Sequence, residues 1–175
     1  MNPAFMTFKE LEPGAEVFID ANIFIYHFLD MSTNCSDFLG LLEEGRYRGL
    51  TSVGVVTEVL HRLMIMEART KKLVKSPGAL DQLNKKPDLV RRLVEYSTAA
   101  QVIPEMGISV LPLTHGHLLS SQAVRARYGL LINDSLIIAM MKESGVTNLA
   151  TNDGAFRRVD GIRIFGPGER PFTTP

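Results

Sequence analysis

The sequence predicts an α/β fold in which a mostly parallel sheet carries helices on both faces. Short apolar segments alternate with longer segments whose apolar residues recur at helical spacing. Strands and helices that alternate in this way form βαβ units around a parallel sheet. The 175 residues, 45% hydrophobic and 22% charged, can bury a core and fit one domain over residues 1–175.

Five short segments predict the strands of the sheet. The first is the apolar run that ends at Asp20 and leads directly into a helix. Pro112 lies near the end of the third, where a strand tolerates proline. In chain order, the predicted strands cover residues 17–20, 49–52, 108–113, 147–151 and 161–165.

Caps and glycines set the boundaries of the predicted helices. Ser36 is expected to cap the second helix and Asp88 the fourth. Gly45, Gly129 and Gly145 end three of the helices, because glycine adopts the left-handed conformation that terminates a helix. In chain order, the predicted helices cover residues 22–30, 36–44, 53–69, 88–100, 115–127 and 134–144.

Basic and acidic residues are equal in number, 19 of each, but unevenly distributed. Residues 62–92 contain an excess of basic residues, whereas residues 1–61 contain an excess of acidic ones. Prolines and a glycine interrupt the helical pattern here, so we expect a basic helical or loop excursion at about 70–92. It either contacts phosphate groups or is a solvated surface. The candidate nucleic-acid contacts are Lys71, Lys72, Arg91 and Arg92.

The composition also restricts the compartment and the cofactor. A single cysteine, Cys35, cannot form an internal disulfide bond, and the N-terminal residues lack the pattern of a secretory signal. The longest uncharged stretch, residues 106–124, contains proline and histidine and is therefore not a membrane span. Neither the dinucleotide-binding nor the NTP-binding glycine motif occurs. We expect a cytoplasmic protein with no membrane partner.

Four acidic residues lie at positions where a parallel sheet binds ligands. Asp20 ends the first strand and Asp153 follows the fourth, while Asp134 opens an apolar helix and Glu58 lies among apolar residues early in another. Carboxylates that converge at such an edge repel one another unless a cation lies between them. An all-oxygen ligand set favours Mg²⁺ or Mn²⁺. Taken singly, an aspartate at a strand end or helix start is more often a helix cap than a metal ligand, so Asp134 and Asp153 are both also candidate N-caps.

The ordered motifs around these acids resemble the PIN domain family. They are Val17-Phe-Ile-Asp20-Ala-Asn22, Thr51-Ser52 with Glu58, Asn133-Asp134-Ser-Leu-Ile-Ile-Ala139, and Ala150-Thr-Asn-Asp153-Gly-Ala-Phe156. The likeness covers nearly the whole chain and is greatest to small single-domain members, including the VapC-like toxins of toxin–antitoxin pairs. It implies an αβα sandwich around a five-stranded parallel sheet, and metal-dependent cleavage of RNA.

The resemblance also implies a role for each matching residue. The catalytic acids and metal ligands would be Asp20, Glu58, Asp134 and Asp153, with Mg²⁺ or Mn²⁺ as cofactor. Accessory residues that orient a carboxylate or a water would be Asn22, Ser52, Thr151 and Asn152. The bound ion would activate water for in-line attack on phosphorus, which leaves 5′-phosphate and 3′-hydroxyl ends. Some members carry a further acid just after the fourth, where this chain has glycine and alanine, so one ion is expected.

RNA and a small antitoxin protein are the partners that the resemblance implies, and small members of the family often form homodimers. Two alternatives stay open. The chain is either a PIN nuclease of RNA processing or DNA cleavage unrelated to toxins, or a non-catalytic RNA-binding or scaffold protein. Non-catalytic members commonly lose acids, and this chain has all four. A neighbouring antitoxin gene would favour the toxin.

Overall fold

The computed structural model describes residues 5–168, which contain one six-stranded sheet flanked by helices. The strands are β1 (Phe5–Thr7), β2 (Glu16–Ile19), β3 (Arg48–Ser52), β4 (Ile108–Leu111), β5 (Asn148–Ala150) and β6 (Arg163–Gly166). Their order across the sheet is β1-β6-β5-β2-β3-β4, and every neighbouring pair is parallel.

Eight α-helices connect or follow these strands in the described residues. They are α1 (Ala21–Phe28), α2 (Thr33–Glu43), α3 (Val53–Thr70), α4 (Ala79–Lys85), α5 (Pro87–Val90), α6 (Ala99–Glu105), α7 (His115–Tyr128) and α8 (Ile132–Ser144). Short 3₁₀ turns cover Phe8–Glu10, Glu95–Thr98 and Gly154–Arg158. Within residues 5–168, no helix combines the length and the apolar character needed to cross a membrane.

The predicted parallel sheet is confirmed, with one strand more than expected. The five predicted strands correspond to β2 through β6. The sequence analysis missed β1, which has only three residues and lies at the edge of the sheet, where it pairs with β6. A segment this short shows no periodicity of its own, and its partner is distant in the sequence.

The connections make β2 and β5 the centre of the sheet. After β2 the chain adds β3 and then β4 on one side, and it later adds β5 and β6 on the other side. The chain therefore leaves β2 and β5 in opposite directions, which opens a crevice at their carboxyl ends. Both strands are buried on each face, since Val17, Phe18 and Ile19 have no exposed surface and neither do Leu149 and Ala150.

Two helix predictions were wrong in their boundaries. The cap of α2 is Ser32 rather than Ser36, because the Ser32 hydroxyl accepts the hydrogen bond from the Cys35 backbone N–H. The Ser36 hydroxyl lies inside the helix and contacts His27 Nδ1 at 2.9 Å. The single helix expected over residues 88–100 is divided into α5, a 3₁₀ turn and α6.

Glu67, near the end of α3, explains that division. Its side chain is 4% exposed, and its carboxylate accepts hydrogen bonds from Lys71 Nζ at 2.6 Å and from the backbone N–H groups of Val94 at 3.0 Å and Tyr96 at 2.9 Å. Those two N–H groups cannot also form helical hydrogen bonds, so the helix is interrupted there. Burial alone would raise the pKa of Glu67, but the hydrogen bonds from Lys71, Tyr96 and Val94 lower it from 4.5 to about 2.

The basic excursion spans residues 71–98 in the structure, between α3 and α6, and has a small core of its own. The side chains of this core lie between the end of α3 and α4. They are separate from the main core, which is built around the strands of the sheet. Its buried members are Ala68, Val74, Ala79, Leu83 and Leu93. The excursion is thus a folded helical cap on α3, attached by apolar packing and by the hydrogen bonds of Glu67.

Replacing Glu67 with Gln is expected to lower the free energy of unfolding by about 2 kcal/mol at pH 7, because three donors lose a charged acceptor. The exposed Glu105→Gln is the control, and urea denaturation is the measurement. Since the pKa of Glu67 is lowered in the folded state, its contribution is complete above about pH 4.5 and is lost as the pH falls toward 2. A difference between Glu67→Gln and wild type that is independent of pH would contradict this account.

Candidate active site

One cleft at the carboxyl ends of β2 and β5 contains all four predicted acids. It has a volume of about 410 Å³ and opens between α1, α3 and the start of α8. Asp20, Glu58, Asp134 and Asp153 all line it, together with Asn22 and Asn133. The crevice created by the strand order is therefore the place where the acidic side chains meet.

Asp20 is the most buried of the four and is fixed by three donated hydrogen bonds. It follows β2 directly and is the N-cap of α1, where its Oδ1 accepts from the Ala21 N–H at 2.7 Å. Its Oδ2 accepts from Thr151 Oγ1 at 2.6 Å and from Asn22 Nδ2 at 2.7 Å. The carboxylate is thus held in one orientation by groups from both central strand ends.

Thr151 and Asn22 connect the two central strand ends in one polar network. The Thr151 hydroxyl donates to Asp20 and accepts from Asn22 Nδ2 at 3.1 Å and from the Asp153 N–H at 3.0 Å. Asn22 Oδ1 accepts from the Asn152 N–H at 3.1 Å. Thr151 is completely buried, so its hydroxyl has no competing water.

The other three acids lie on separate elements around Asp20. Glu58 projects from α3 and its Oε2 accepts a long hydrogen bond, 3.4 Å, from Asn133 Nδ2. Asp134 lies in the first turn of α8, whose N-cap is Leu131, so the alternative that Asp134 is an N-cap is wrong. Asp153 is exposed and does cap the 3₁₀ turn that follows it, through a hydrogen bond from the Ala155 N–H.

Burial and neighbouring carboxylates raise the pKa values of Asp20 and Asp134. Burial, then Glu58 and Asp134, raises the pKa of Asp20 from 3.8 to about 6, against the opposing hydrogen bonds from Thr151 and Ala21. Burial, followed by Asp153 and Glu58, raises the pKa of Asp134. Among the ion pairs of residues 5–168, none involves any of the four acids. The four acids therefore lie together without an ion pair to any basic side chain, although Arg62 and Arg69 line the same cleft.

The donor set of this cleft fits a hard divalent cation. Every candidate ligand is an oxygen, which is the chemistry that Mg²⁺ and Mn²⁺ prefer, and a cation would offset both the burial of the Asp20 charge and its repulsion by the neighbouring acids. In their present rotamers, no three Asp, Glu, His or Cys side chains of the described chain are grouped closely enough to hold an ion. Binding therefore requires side-chain rotation, which is available to the exposed Asp153 and the half-buried Glu58.

The remaining sequence candidates are distributed differently. Ser52 ends β3 and its hydroxyl caps α3 by accepting from the Val55 N–H. Asn152 contributes its backbone N–H, as described above. In the excursion, Lys71 forms ion pairs with Glu67 and Glu95, and Arg91 pairs with Asp88. Lys71, Lys72, Arg91 and Arg92 are not among the residues that line the cleft.

The cleft is also lined by Arg62, Arg69 and Tyr26. The two arginines belong to the basic stretch over residues 62–92, for which phosphate contact was one of the two expectations from the sequence, and the sequence analysis did not consider Tyr26. Arg62 and Arg69 follow Glu58 by four and eleven positions on α3, and Tyr26 lies on α1 across the cleft from them. The spacing of the arginines places both on the helix face that carries Glu58. That periodicity was visible in the sequence, but only the structure shows that this face lines a cleft.

Comparison with protein-family models matches the PIN domain over residues 17–162. The chain belongs to the PIN domain family. The match includes all four acids of the cleft and ends within the last connection before β6. Comparison with curated protein sequences gives no match.

Solved structures of toxin–antitoxin proteins share the fold of this PIN domain at low sequence identity. VapBC2 from Rickettsia felis, solved with a DNA fragment from its promoter, matches with a TM-score of 0.57 and 14% identity over 86% of this chain and 98% of that one. VapC20 from Mycobacterium tuberculosis is described as a toxin that cleaves the sarcin–ricin loop. It matches with a TM-score of 0.57 and 15% identity over 85% of this chain and 98% of that one. A toxin–antitoxin complex from Klebsiella pneumoniae matches with a TM-score of 0.53 and 17% identity over 88% of this chain and 99% of that one.

Added Mg²⁺ or Mn²⁺ is expected to raise the melting temperature of this PIN domain by several degrees at saturating concentration, since a ligand bound only by the folded state stabilises it. The same addition should have little effect on Asp134→Asn, which removes one carboxylate charge at nearly constant volume. Asp37→Asn, an exposed change on α2 outside the cleft, is the control and should respond like wild type. Equal shifts in all three proteins, measured by differential scanning fluorimetry, would place any bound ion elsewhere.

Proposed function

We propose that this PIN domain is an endoribonuclease that hydrolyses RNA phosphodiester bonds with Mg²⁺ or Mn²⁺ as cofactor. The observation that supports this is the convergence of four acids in one cleft, none of which forms an ion pair: Asp20, Glu58, Asp134 and Asp153. Phosphate is the substrate group that would complement such a site, because a divalent cation held by these carboxylates would offset the negative charge of the phosphate as well as their own.

The bound cation would supply the charge that activates water and stabilises the phosphoryl oxygens. The chain's own residues supply geometry. Thr151, Asn22 and the Ala21 N–H fix the Asp20 carboxylate before substrate binds, so this ligand needs no reordering. Glu58 is less restrained, since its only hydrogen bond in the described residues is the long one from Asn133, and its carboxylate can orient the attacking water.

The proposed biological role is that of a toxin inhibited by a small antitoxin protein, in a cytoplasmic toxin–antitoxin pair. The support is the likeness of fold to VapBC2 and to the Klebsiella pneumoniae toxin–antitoxin complex, each matched over nearly its full length. A homodimer belongs to the same proposal. RNA is preferred to DNA as substrate because VapC20 is described as cleaving the sarcin–ricin loop, an RNA.

Cleavage of a panel of single-stranded and structured RNAs and DNAs tests the proposed activity. Wild type should cut RNA with Mg²⁺ or Mn²⁺ and should be inactive with chelator. Asp20→Asn and Asp134→Asn should lose at least about a hundredfold in rate, because each removes a charge that acts on the reacting phosphate. Asp37→Asn should retain full activity. Cutting of DNA alone would favour the DNA-cleaving alternative, and RNA binding without cutting under any metal would favour the non-catalytic one.

Expression in a bacterial host tests the toxin role separately. Wild type is expected to arrest growth, and Asp134→Asn is expected to be tolerated at the same protein level. Coexpression of a small protein encoded beside this gene should restore growth and should copurify with the chain. A nuclease active in vitro that leaves growth unaffected would instead support a role in RNA processing.

A further inference from the structure

The cleft continues away from the acids as a groove between α1 and α3. Glu58, Arg62, Ile65, Met66 and Arg69 line it from one face of α3, and Tyr26 lines it from α1. At 1.5 Å per residue, Arg62 lies about 6 Å and Arg69 about 16 Å beyond Glu58 along the helix axis. The groove is therefore acidic at one end, apolar along its length and basic at two positions.

The two groove arginines differ from the basic residues of the excursion in position, because Arg62 and Arg69 line the cleft and the excursion residues do not. Within residues 5–168, the side chains of Arg62 and Arg69 form no ion pair or hydrogen bond. Lys71, Lys85 and Arg91 of the excursion each pair with an acid, and Lys72 and Arg92 have no ion pair. The Nε of Arg69 is buried and has no acceptor. The guanidinium of Arg69 therefore has no acceptor within the described residues, and an anion bound in the groove would supply one.

The chemistry of the groove fits an extended polyanion with separate bases. Guanidinium groups bind phosphate through paired N–H donors. Tyr26 is half-buried and offers a ring on which an unpaired base can stack, and Ile65 and Met66 provide the apolar surface beside it. A duplex hides its bases, so these features together favour a single strand.

We infer that Arg62 and Arg69 are phosphate-binding residues that hold a single-stranded segment of RNA along the groove, with the scissile phosphate at the acids. This rests on the proposed nuclease function, which it deepens by naming the substrate-binding surface. It assigns the main phosphate contacts to the groove rather than to Lys71, Lys72, Arg91 and Arg92.

The test is binding of a short, fluorescently labelled single-stranded RNA to the cleavage-deficient Asp134→Asn chain, measured by anisotropy over a series of salt concentrations. Arg62→Gln and Arg69→Gln, each added to that background, should weaken binding about tenfold at low salt. Each should also lower the slope of log K against log salt by about 0.7, the value for one phosphate contact to a single strand. Arg69→Lys should restore most of the slope, because it keeps the charge.

Two further arms make the result specific. Arg163→Gln is the control, because Arg163 is exposed at the start of β6, opposite the carboxyl edge of the sheet, and should leave the slope unchanged. A double change of Lys72 and Arg92 to Gln should have a smaller effect than either groove variant. A loss in that double variant with none in Arg62→Gln would overturn the inference, even if Arg69→Gln failed to fold.

Cleavage by wild type is measured in parallel, so that the two proposals can fail separately. If wild type cuts RNA while Arg62→Gln and Arg69→Gln bind RNA as tightly as their Asp134→Asn parent, the groove proposal is overturned and the nuclease proposal stands. If wild type cuts nothing while both variants bind RNA more weakly and with a smaller salt slope, the nuclease proposal is overturned and the groove is supported as a nucleic-acid site.

Discussion

Electrostatic repulsion among four carboxylates at the carboxyl edge of the sheet is the constraint on which this structure depends. The strand order creates the crevice there, and the elements around it supply one acid each, from the end of β2, from α3, from α8 and from the residues after β5. Burial, and then the charges of Glu58 and Asp134, raise the pKa of Asp20 to about 6, so the ionised Asp20 carboxylate lowers the stability of the fold above that pH. A divalent cation removes that cost, which links metal binding to stability.

The two acidic residues of α3, Glu58 and Glu67, show how the surroundings of a carboxylate determine its role. Glu67 is enclosed by Lys71 and by two backbone N–H groups, which satisfy its charge and attach the excursion. Glu58, nine residues earlier, faces other acids and has a single weak donor, Asn133. The first is therefore a structural acid and the second is available for chemistry, although both belong to one helix.

Much of the fold followed from local sequence patterns, whereas long-range contacts decided what those patterns missed. The central strands and α3 were predictable because their apolar runs are continuous or periodic. The edge strand β1 depends on its pairing with β6, and the interruption after Val90 depends on the hydrogen bonds of Glu67. In both cases the partner lies far away in the sequence. The motifs indicated which acids would meet, and their catalytic role stays a prediction. The ion pairs of Lys71 with Glu67 and of Arg91 with Asp88 have the helical spacing that the sequence shows, whereas the groove lined by Arg62 could be seen only in three dimensions.

The central claim is that the four acids form one divalent-cation site. Anomalous diffraction from crystals soaked in Mn²⁺ tests it most directly, because the ion is located without reference to activity. We expect one strong peak in the cleft, in direct contact with the Asp20 and Asp134 carboxylates, and no such peak in crystals of Asp134→Asn. A cleft without a peak at Mn²⁺ concentrations that occupy other sites, or a peak unchanged in that variant, would contradict the account.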